Sequence, residues 1–384
     1  MCASLFSLFA VVFLVFTGTV SLVLAAGAYK VGAVFSVTGV ASFLGEPEKR
    51  TVEMVVEKVN ASGGINGHPV ELILYDDESD TTKATLAVKR LIKKDNVLVI
   101  IGPTRSGESL AVAPIAEKAK VPLISCAASY KIVTPVEKRR WVFKTAHSDG
   151  HAVERIFEYM KNHDIKRVAI LTVSTGFGAS GREQILKYAP KYGIEIVADE
   201  RYGPKDTDLT AQFTKVRSLN PDAIVNWSIG PTQILSVKTW HNLGMNKIRL
   251  FQSHGFGSKK NLELAGGAAN GVLFPISPVI VASLLPESHP QKKTVMDYVR
   301  EYTSRYNEPV SSFGGHAWDA IQLALSALKE VGPDRTKIRD YLENLKGFVG
   351  QSGVFNFSPN DHNGLSKKDL VMVEVVKGQW VLAQ

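Results

Sequence analysis

Gly102-Pro103-Thr104-Arg105-Ser106-Gly107 leads into a helical pattern, and its residue types suit one kind of chemistry. The hydroxyls of Thr104 and Ser106 and the unpaired amides of a first helical turn are all hydrogen-bond donors. A helix amino-terminus also favours negative charge. Further along, Ser125-Cys126-Ala127-Ala128-Ser129 supplies another hydroxyl and more backbone donors. Together the two segments can hold a carboxylate with neutral hydrogen bonds. Taken singly, Ser106 and Ser129 also read as ordinary helix N-caps.

A second candidate is Gly176-Phe177-Gly178-Ala179-Ser180-Gly181, which follows a strand pattern, opens a helix and fits G-x-G-x-x-G. Glu195 and Asp199 stand near the expected ribose-binding distance. Three features argue against a nucleotide. The motif lies mid-chain, a bulky Phe177 occupies the path of a pyrophosphate, and no catalytic set accompanies it. Phe177 reads better as the apolar wall of a cleft.

Asp76, Asp77, Glu78 and Asp80 cluster at a strand end but lack the glycine and distal glutamate of a calcium loop, so they read as a solvated turn plus a helix cap. His147 and His151 stand four apart, but Gly150 and the helix start after them argue for a loop, and there is no obvious third ligand. There is no H-E-x-x-H, G-x-S-x-G or Walker loop. No catalytic residue, metal or cofactor is therefore expected.

The elements that would position these loops alternate strand and helix. Strands are expected at Tyr29-Phe35, Val70-Tyr75, Val97-Ile101 and Val121-Ser125. Helices are expected over Glu46-Asn60, Thr81-Lys94 with Asp80 as N-cap, and Gly107-Lys118. The cycle restarts after His147. Helices are expected over Ala152-Asn162, from Gly181, over Leu209-Ser218 and Thr232-Leu243. The strands between them are Val168-Val173, Ile194-Ala198, Ala223-Asn226 and Arg249-Gln252. Two long helices, His289-Tyr306 and Ala317-Lys329, precede a β-rich tail. Such alternation builds parallel sheets with helices on both faces, and ligands then sit on loops beyond the strands' carboxyl ends. The fold class is α/β.

With these elements in order, the chain resembles the type I periplasmic binding proteins of the branched-chain amino-acid class, which serve ABC importers. The resemblance rests on Val31-Gly32-Ala33-Val34-Phe35 with Ser36-Val37-Thr38-Gly39, on Val59 through Gly67, on Tyr75-Asp76-Asp77, on Ile101-Gly102-Pro103 and on Val121-Pro122-Leu123-Ile124-Ser125. It covers nearly the whole chain after the first apolar run. It implies two similar lobes, each a parallel sheet flanked by helices, joined by a three-strand hinge near Lys144-His147, Leu273-Ile276 and Pro359-Leu365. Lobe 1 would comprise residues 27–145 and 275–360, and lobe 2 residues 146–274 and 361–384. The implied carboxylate site is Ser106, Ala127 and Ser129, beside Arg105. Leu44, Phe177 and Ile229 fall at positions of cleft side chains. His254 stands where such families usually place an acidic residue for the ligand's α-ammonium. That departure suggests an acid without an α-amino group, with His254 or Trp227 meeting a distal hydroxyl or ring. Trp318 reads as core packing.

The implied function is extracytoplasmic capture of a small carboxylate by hinge closure and delivery to an ABC permease in the inner membrane. A ligand sensor of the same fold is the alternative, and a nucleotide-dependent enzyme a more distant one. The 384 residues suffice for two domains, and 45% hydrophobic with 21% charged residues is a globular composition. The net charge of +8 comes from scattered lysines and arginines without interleaved aromatics, which argues against a nucleic-acid partner. Leu5 to Leu24 is an apolar run ending in small residues, so residues 1–26 read as a signal peptide, with an uncleaved membrane anchor as the alternative. With Cys2 in that segment, Cys126 is alone and no internal disulfide is expected.

Overall fold

The computed structural model describes residues 27–383; the expected signal peptide, with Cys2, lies outside the described residues. The chain begins β1 (Tyr29–Phe35), α1 (Ser42–Ala61), β2 (Val70–Asp76), α2 (Thr81–Arg90), β3 (Val99–Ile101), α3 (Ser106–Ala119), β4 (Leu123–Ser125) and β5 (Val142–Lys144). These five strands form an all-parallel sheet in the order β2-β1-β3-β4-β5. The second run is α4 (Asp149–Asn162), β6 (Arg167–Val173), α5 (Gly176–Tyr188), β7 (Glu195–Tyr202), α6 (Thr210–Ser218), β8 (Ala223–Trp227), α7 (Pro231–Asn242), β9 (Arg249–Gln252), α8 (Lys259–Ala265) and β10 (Leu273–Ile276). The chain then returns through α9 (Lys292–Tyr306), α10 (Ser312–Val331), α11 (Arg335–Asn344) and the hairpin β11 (Phe348–Val349) and β12 (Val354–Phe355). It ends with β13 (Val371–Val376) and β14 (Gln379–Leu382).

The second sheet reads β7-β6-β8-β9-β10 in the strand order of the first, extended by the antiparallel pair β13 and β14. The doubled strand-helix cycle in the sequence is thus two copies of one topology. Parallel strands are covered on both faces, which is why β1, β6 and β8 are almost continuously apolar. On one face of the first sheet, Val31, Ala33 and Phe35 pack with Val52 and Val56 of α1 and with Ile321 and Leu328 of α10. On the other, Val34 and Ile100 meet Val88 of α2 and Val112 and Ala116 of α3. Two further clusters cover the second sheet, one with Phe213 and Val237, the other with Ile156 and Ile185. No helix among the described residues is long and apolar enough to cross a membrane.

Three segments run between the sheets: 145–148, the stretch after β10, and the stretch between β12 and β13. Leu273-Ile276 is itself a strand of the second sheet, so that crossing follows it. The first and third crossings are hydrogen-bonded together. Asn363 Oδ1 accepts from the Ser148 amide at 3.1 Å and hydroxyl at 2.9 Å, and Asn363 Nδ2 donates to the Ala146 carbonyl at 3.0 Å. The fully buried Lys144 donates to the Ala128 carbonyl at 2.7 Å and to Ser148 Oγ at 3.0 Å. Burial pushes Lys144 down to about 7, against the attraction of Asp149 and Asp361.

Several expected boundaries move. α1 begins at Ser42, so Leu44 lies on a helix and not on the loop before it. α4 begins at Asp149, which puts His151 inside a helix. The helix after Asp80 stays α-helical only to Arg90 and continues as a π-turn over Leu91–Asp95. α5 begins at Gly176, so the glycine-rich stretch is helix and not a loop, capped by Thr175 Oγ1, which accepts from the Gly178 amide at 3.3 Å. α8 and α11 were not anticipated.

Candidate binding site

A cavity of about 460 Å³ opens between the two sheets, at the carboxyl ends of their strands. Each of its loops leaves a strand tip, as the topology of open parallel sheets requires. The turn after β3 is set by Gly102, whose φ of +89° suits glycine and whose Cβ would stand 2.1 Å from the Val34 carbonyl. That close approach to β1 brings Thr104, Arg105 and Ser106 to the cavity wall.

Arg105 takes the N-cap position of α3 without a capping side chain, and Ser106 is the first helical residue. Ser106 therefore is not an N-cap, and Ser129, at the N-cap position of the short 3-10 turn Tyr130–Ile132, makes no capping bond with its side chain. Ser106 Oγ instead accepts the Ser129 amide at 3.2 Å. A hydroxyl that accepts from an amide keeps its own proton to donate. The first-turn amides of α3 have no intrahelical acceptor by geometry, so they add further donors and a partial positive charge. Arg105 reaches the Ser79 carbonyl at 3.0 Å and the Glu108 carboxylate at 3.3 Å. Glu108 is the sole carboxylate among the lining residues, and Arg105 and Lys205 are lining cations.

The structure brings Leu44, Arg105, Ser106, Ala127, Phe177, Ile229 and His254 onto one cavity wall. Ser129 is not on it. Its amide serves Ser106, and its hydroxyl donates to Ser180 Oγ at 2.9 Å, which in turn donates to Asp149. Ala127 lines the cavity, but its amide donates to Ser125 Oγ at 3.1 Å and is not a free donor for a ligand. Trp227 is fully buried behind the wall. Trp318 is half-buried, packed on the cores around α10 and α9.

The acidic cluster is a correction. Asp76 accepts the amides of Val37 and Thr38, at 3.0 and 3.2 Å, and Asp80 caps α2, but Asp77 is fully buried and not part of a solvated turn. Burial pushes Asp77 up to about 6, against the hydrogen bond that its Oδ1 accepts from the Ser79 amide at 2.9 Å. Glu48 is buried beside it and accepts from Thr104 Oγ1, and burial pushes its carboxyl well above the usual carboxylate range. Thr104 Oγ1 also accepts the Ser36 amide at 3.0 Å, so these acids brace the loops behind the cavity.

The three glycines of the G-x-G-x-x-G stretch have packing roles. A Cβ at Gly178 would stand 1.7 Å from the Val173 carbonyl, and one at Gly181 would stand 2.0 Å from Trp227 Nε1. Gly176 faces Gly107 of the opposite lobe, with a Cβ there 3.4 Å from Gly107 Cα.

Sequence reasoning missed Phe43, Phe313 and His316 on the wall. The Phe43 and Phe313 rings meet edge-on at 6.3 Å. His316 bonds Ser352 Oγ through Nδ1 at 2.9 Å. An imidazole in the first turns of α10, directly after Gly314-Gly315, is the signal that could have found it. His254 lies edge-on to Phe177 and to Trp227, with both ring-centre distances 5.6 Å. Burial pushes His254 and His316 each down to about 3, with Lys144 adding to both shifts.

A family model described as periplasmic binding protein matches residues 28–379. The leucine-, isoleucine-, valine-, threonine- and alanine-binding protein of Pseudomonas aeruginosa is 23% identical over 362 residues, covering 93% of this chain and 92% of its own. The solved extracellular ligand-binding receptor from Rhodopseudomonas palustris HaA2 is 29% identical, with a TM-score of 0.86 over 93% of this chain and 99% of its own. A branched-chain amino acid transporter substrate binding protein from Streptococcus pneumoniae, solved in complex with isoleucine, is 26% identical, with a TM-score of 0.81 over 92% of this chain and 97% of its own. By its two lobes of one topology, its interlobe cavity and this match along nearly the whole described chain, the protein belongs to the type I periplasmic binding proteins, in the branched-chain amino-acid class.

Proposed function

We propose that this protein is the extracytoplasmic solute-binding component of an ABC importer, and that its cleft closes on a small organic monocarboxylate. The observation that carries the reading is the state of Ser106. Its hydroxyl accepts the Ser129 amide and so keeps a proton for the cavity, beside the open end of α3 and the Arg105 guanidinium. A carboxylate is the group those donors satisfy. Lining charges of Arg105 and Lys205 against Glu108 leave an excess of one positive charge, which suits a monoanion.

The relatives' names support the importer role, since they describe branched-chain amino acid binding and transport. In this reading the two lobes, with the chain crossings between them as hinges, close by rigid-body rotation, and the ligand favours the closed form by touching both. The closed form docks on a membrane permease. The protein works in the periplasm, exported by the apolar run at its amino-terminus.

A thermal-shift screen of carboxylic acids tests the reading. We expect at least one monocarboxylate to raise the melting temperature in the wild-type protein, and Ser106→Ala to reduce that rise sharply. Stabilisation of the same size in Ser106→Ala would sink the carboxylate site. Conversion of the bound acid into a product would sink the non-catalytic role.

A further inference from the structure

Two imidazoles enter the cavity from opposite lobes, His254 from the loop after β9 and His316 from the first turns of α10. Only 6% of His254 is exposed, yet neither of its ring nitrogens has a hydrogen-bond partner. The ring is fixed edge-on against Phe177 and Trp227. His316 is 5% exposed and spends Nδ1 on Ser352. A buried polar group without a partner is costly, so this end of the cavity is incomplete as it stands.

The chemistry of the missing partner follows from what surrounds it. Both rings are held neutral by burial, and each neutral imidazole offers one N–H and one lone pair. A second carboxylate would need a cation there, and neutral imidazoles do not supply one. An ammonium would need a carboxylate, and the one on the wall, Glu108, is paired with Arg105 at 3.3 Å. The buried Lys144 already adds positive potential at both histidines. A charge buried without a counter-charge is far more costly than a hydrogen-bonded neutral group. A hydroxyl can donate to one imidazole and accept from the other, and a carbonyl can accept from either, at no such cost. The remaining walls, from Phe43, Leu44, Phe177, Ile229 and Phe313, are suited to an apolar body the width of an aromatic ring.

We infer that His254 and His316 are specificity-determining residues, and that the ligand is an amine-free monocarboxylate whose apolar, ring-sized body carries a hydroxyl or carbonyl group facing these two imidazoles. The inference rests on the monocarboxylate reading above and narrows it. A site with a hydrogen-bonding pair discriminates strongly against the analogue that lacks the group, because its own polar atoms are then left unpaired.

The test is calorimetric titration of the full exported protein with matched acids. The set is benzoate and cinnamate, their 4-hydroxy derivatives, phenylalanine, tyrosine and isoleucine. We expect one 4-hydroxy acid to bind at least about tenfold tighter than its parent, a difference of about 1.4 kcal/mol, and all three amino acids to bind more weakly than it does. In His254→Phe and in His316→Phe the hydroxyl preference should fall towards one. His254→Gln, which keeps a donor and an acceptor, should retain part of it and guards against misfolding of the aromatic variants. A hydroxyl preference that survives in both phenylalanine variants would overturn the inference. So would tighter binding of an amino acid than of every amine-free acid, although carboxylate capture would then still stand. If no acid in the set binds, the inference fails; the monocarboxylate reading stands if another monocarboxylate raises the melting temperature in the thermal-shift screen, and fails with it if none does.

Discussion

The amide of Ser129 donates to Ser106 Oγ at 3.2 Å, and of the two serines only Ser106 lines the cavity. Ser106 receives an amide and keeps its proton. Ser129 gives its amide to Ser106 and its hydroxyl to Ser180.

The two serines should therefore differ on substitution. Ser106→Ala removes a hydrogen bond to a charged group, worth about 1.5–3 kcal/mol, and should weaken carboxylate binding by about 10- to 100-fold. Ser129→Ala keeps the amide that orients Ser106 and should cost less than about tenfold. Isothermal titration of the two variants with one acid checks the order; equal losses would place both hydroxyls on the ligand.

Ser129 also opens a seam between the lobes. Ser180 and Glu183 on α5 meet Ser129, Tyr130 and Lys131 from the turn after β4. The Lys131–Glu183 pair is about half exposed, and exposed pairs contribute only about 0–1 kcal/mol and are screened by salt. Glu183→Ala should weaken ligand binding by less than about fivefold at low ionic strength and hardly at all in ~1 M salt. Affinity measured across a salt series tests this, and a loss undiminished by salt would contradict it.

Acid should unfold the protein partly through His254. Its folded value is pushed down to about 3, below the ordinary histidine value of 6.5. The unfolded chain then binds the proton first, so stability is lost as pH falls from about 6.5 towards 3. The raised carboxyls, such as Asp319 at about 7, act in the opposite sense and lose stability as pH rises through that range. His254→Gln should remove the His254 contribution alone and lose less stability than wild type between pH 7 and 4. The difference can reach about 1.4 kcal/mol per pH unit. Urea melts at a series of pH values provide the comparison, and parallel curves would mean the native His254 titrates normally.

Gly181→Ala should disturb the fold and the cavity together. The added methyl would overlap the Trp227 indole, which backs Phe177 and His254. Overpacking of this kind costs about 1–3 kcal/mol. Chemical denaturation should show that loss, with weaker ligand binding alongside. A titration of the wild-type protein with NADH should show no saturable binding, since the glycines admit packing partners rather than phosphates.

Much of the fold was legible because parallel strands announce themselves. Val31 to Phe35 and Val168 to Val173 are apolar runs, and Asp80 does cap the following helix. The start of α5 was misplaced because glycine signals backbone freedom in a sequence, whereas Gly178 and Gly181 serve close packing. Asp77 looked solvated among its acidic neighbours, and only the fold shows that it is enclosed. Within the site, the strand-tip residues Arg105, Ser106 and His254 were within reach of topology and resemblance. Phe43 and Phe313 were not. Each is an apolar residue on a helix, and they meet from opposite ends of the chain. The hydrogen bonds that occupy Ser129 and the Ala127 amide depend on Ser180 and Ser125 and could not be read locally.

Gly176 and Gly107 oppose one another across the gap, helix start to helix start. In the proposed closure, bare backbone at this point would set the end of the jaw's travel. A methyl at 176 would already rest on its opposite number at 3.4 Å, and any longer side chain would act as a wedge. Such a wedge would leave every pocket contact chemically intact and still weaken all cargo alike, because the grip would stop short of its full depth.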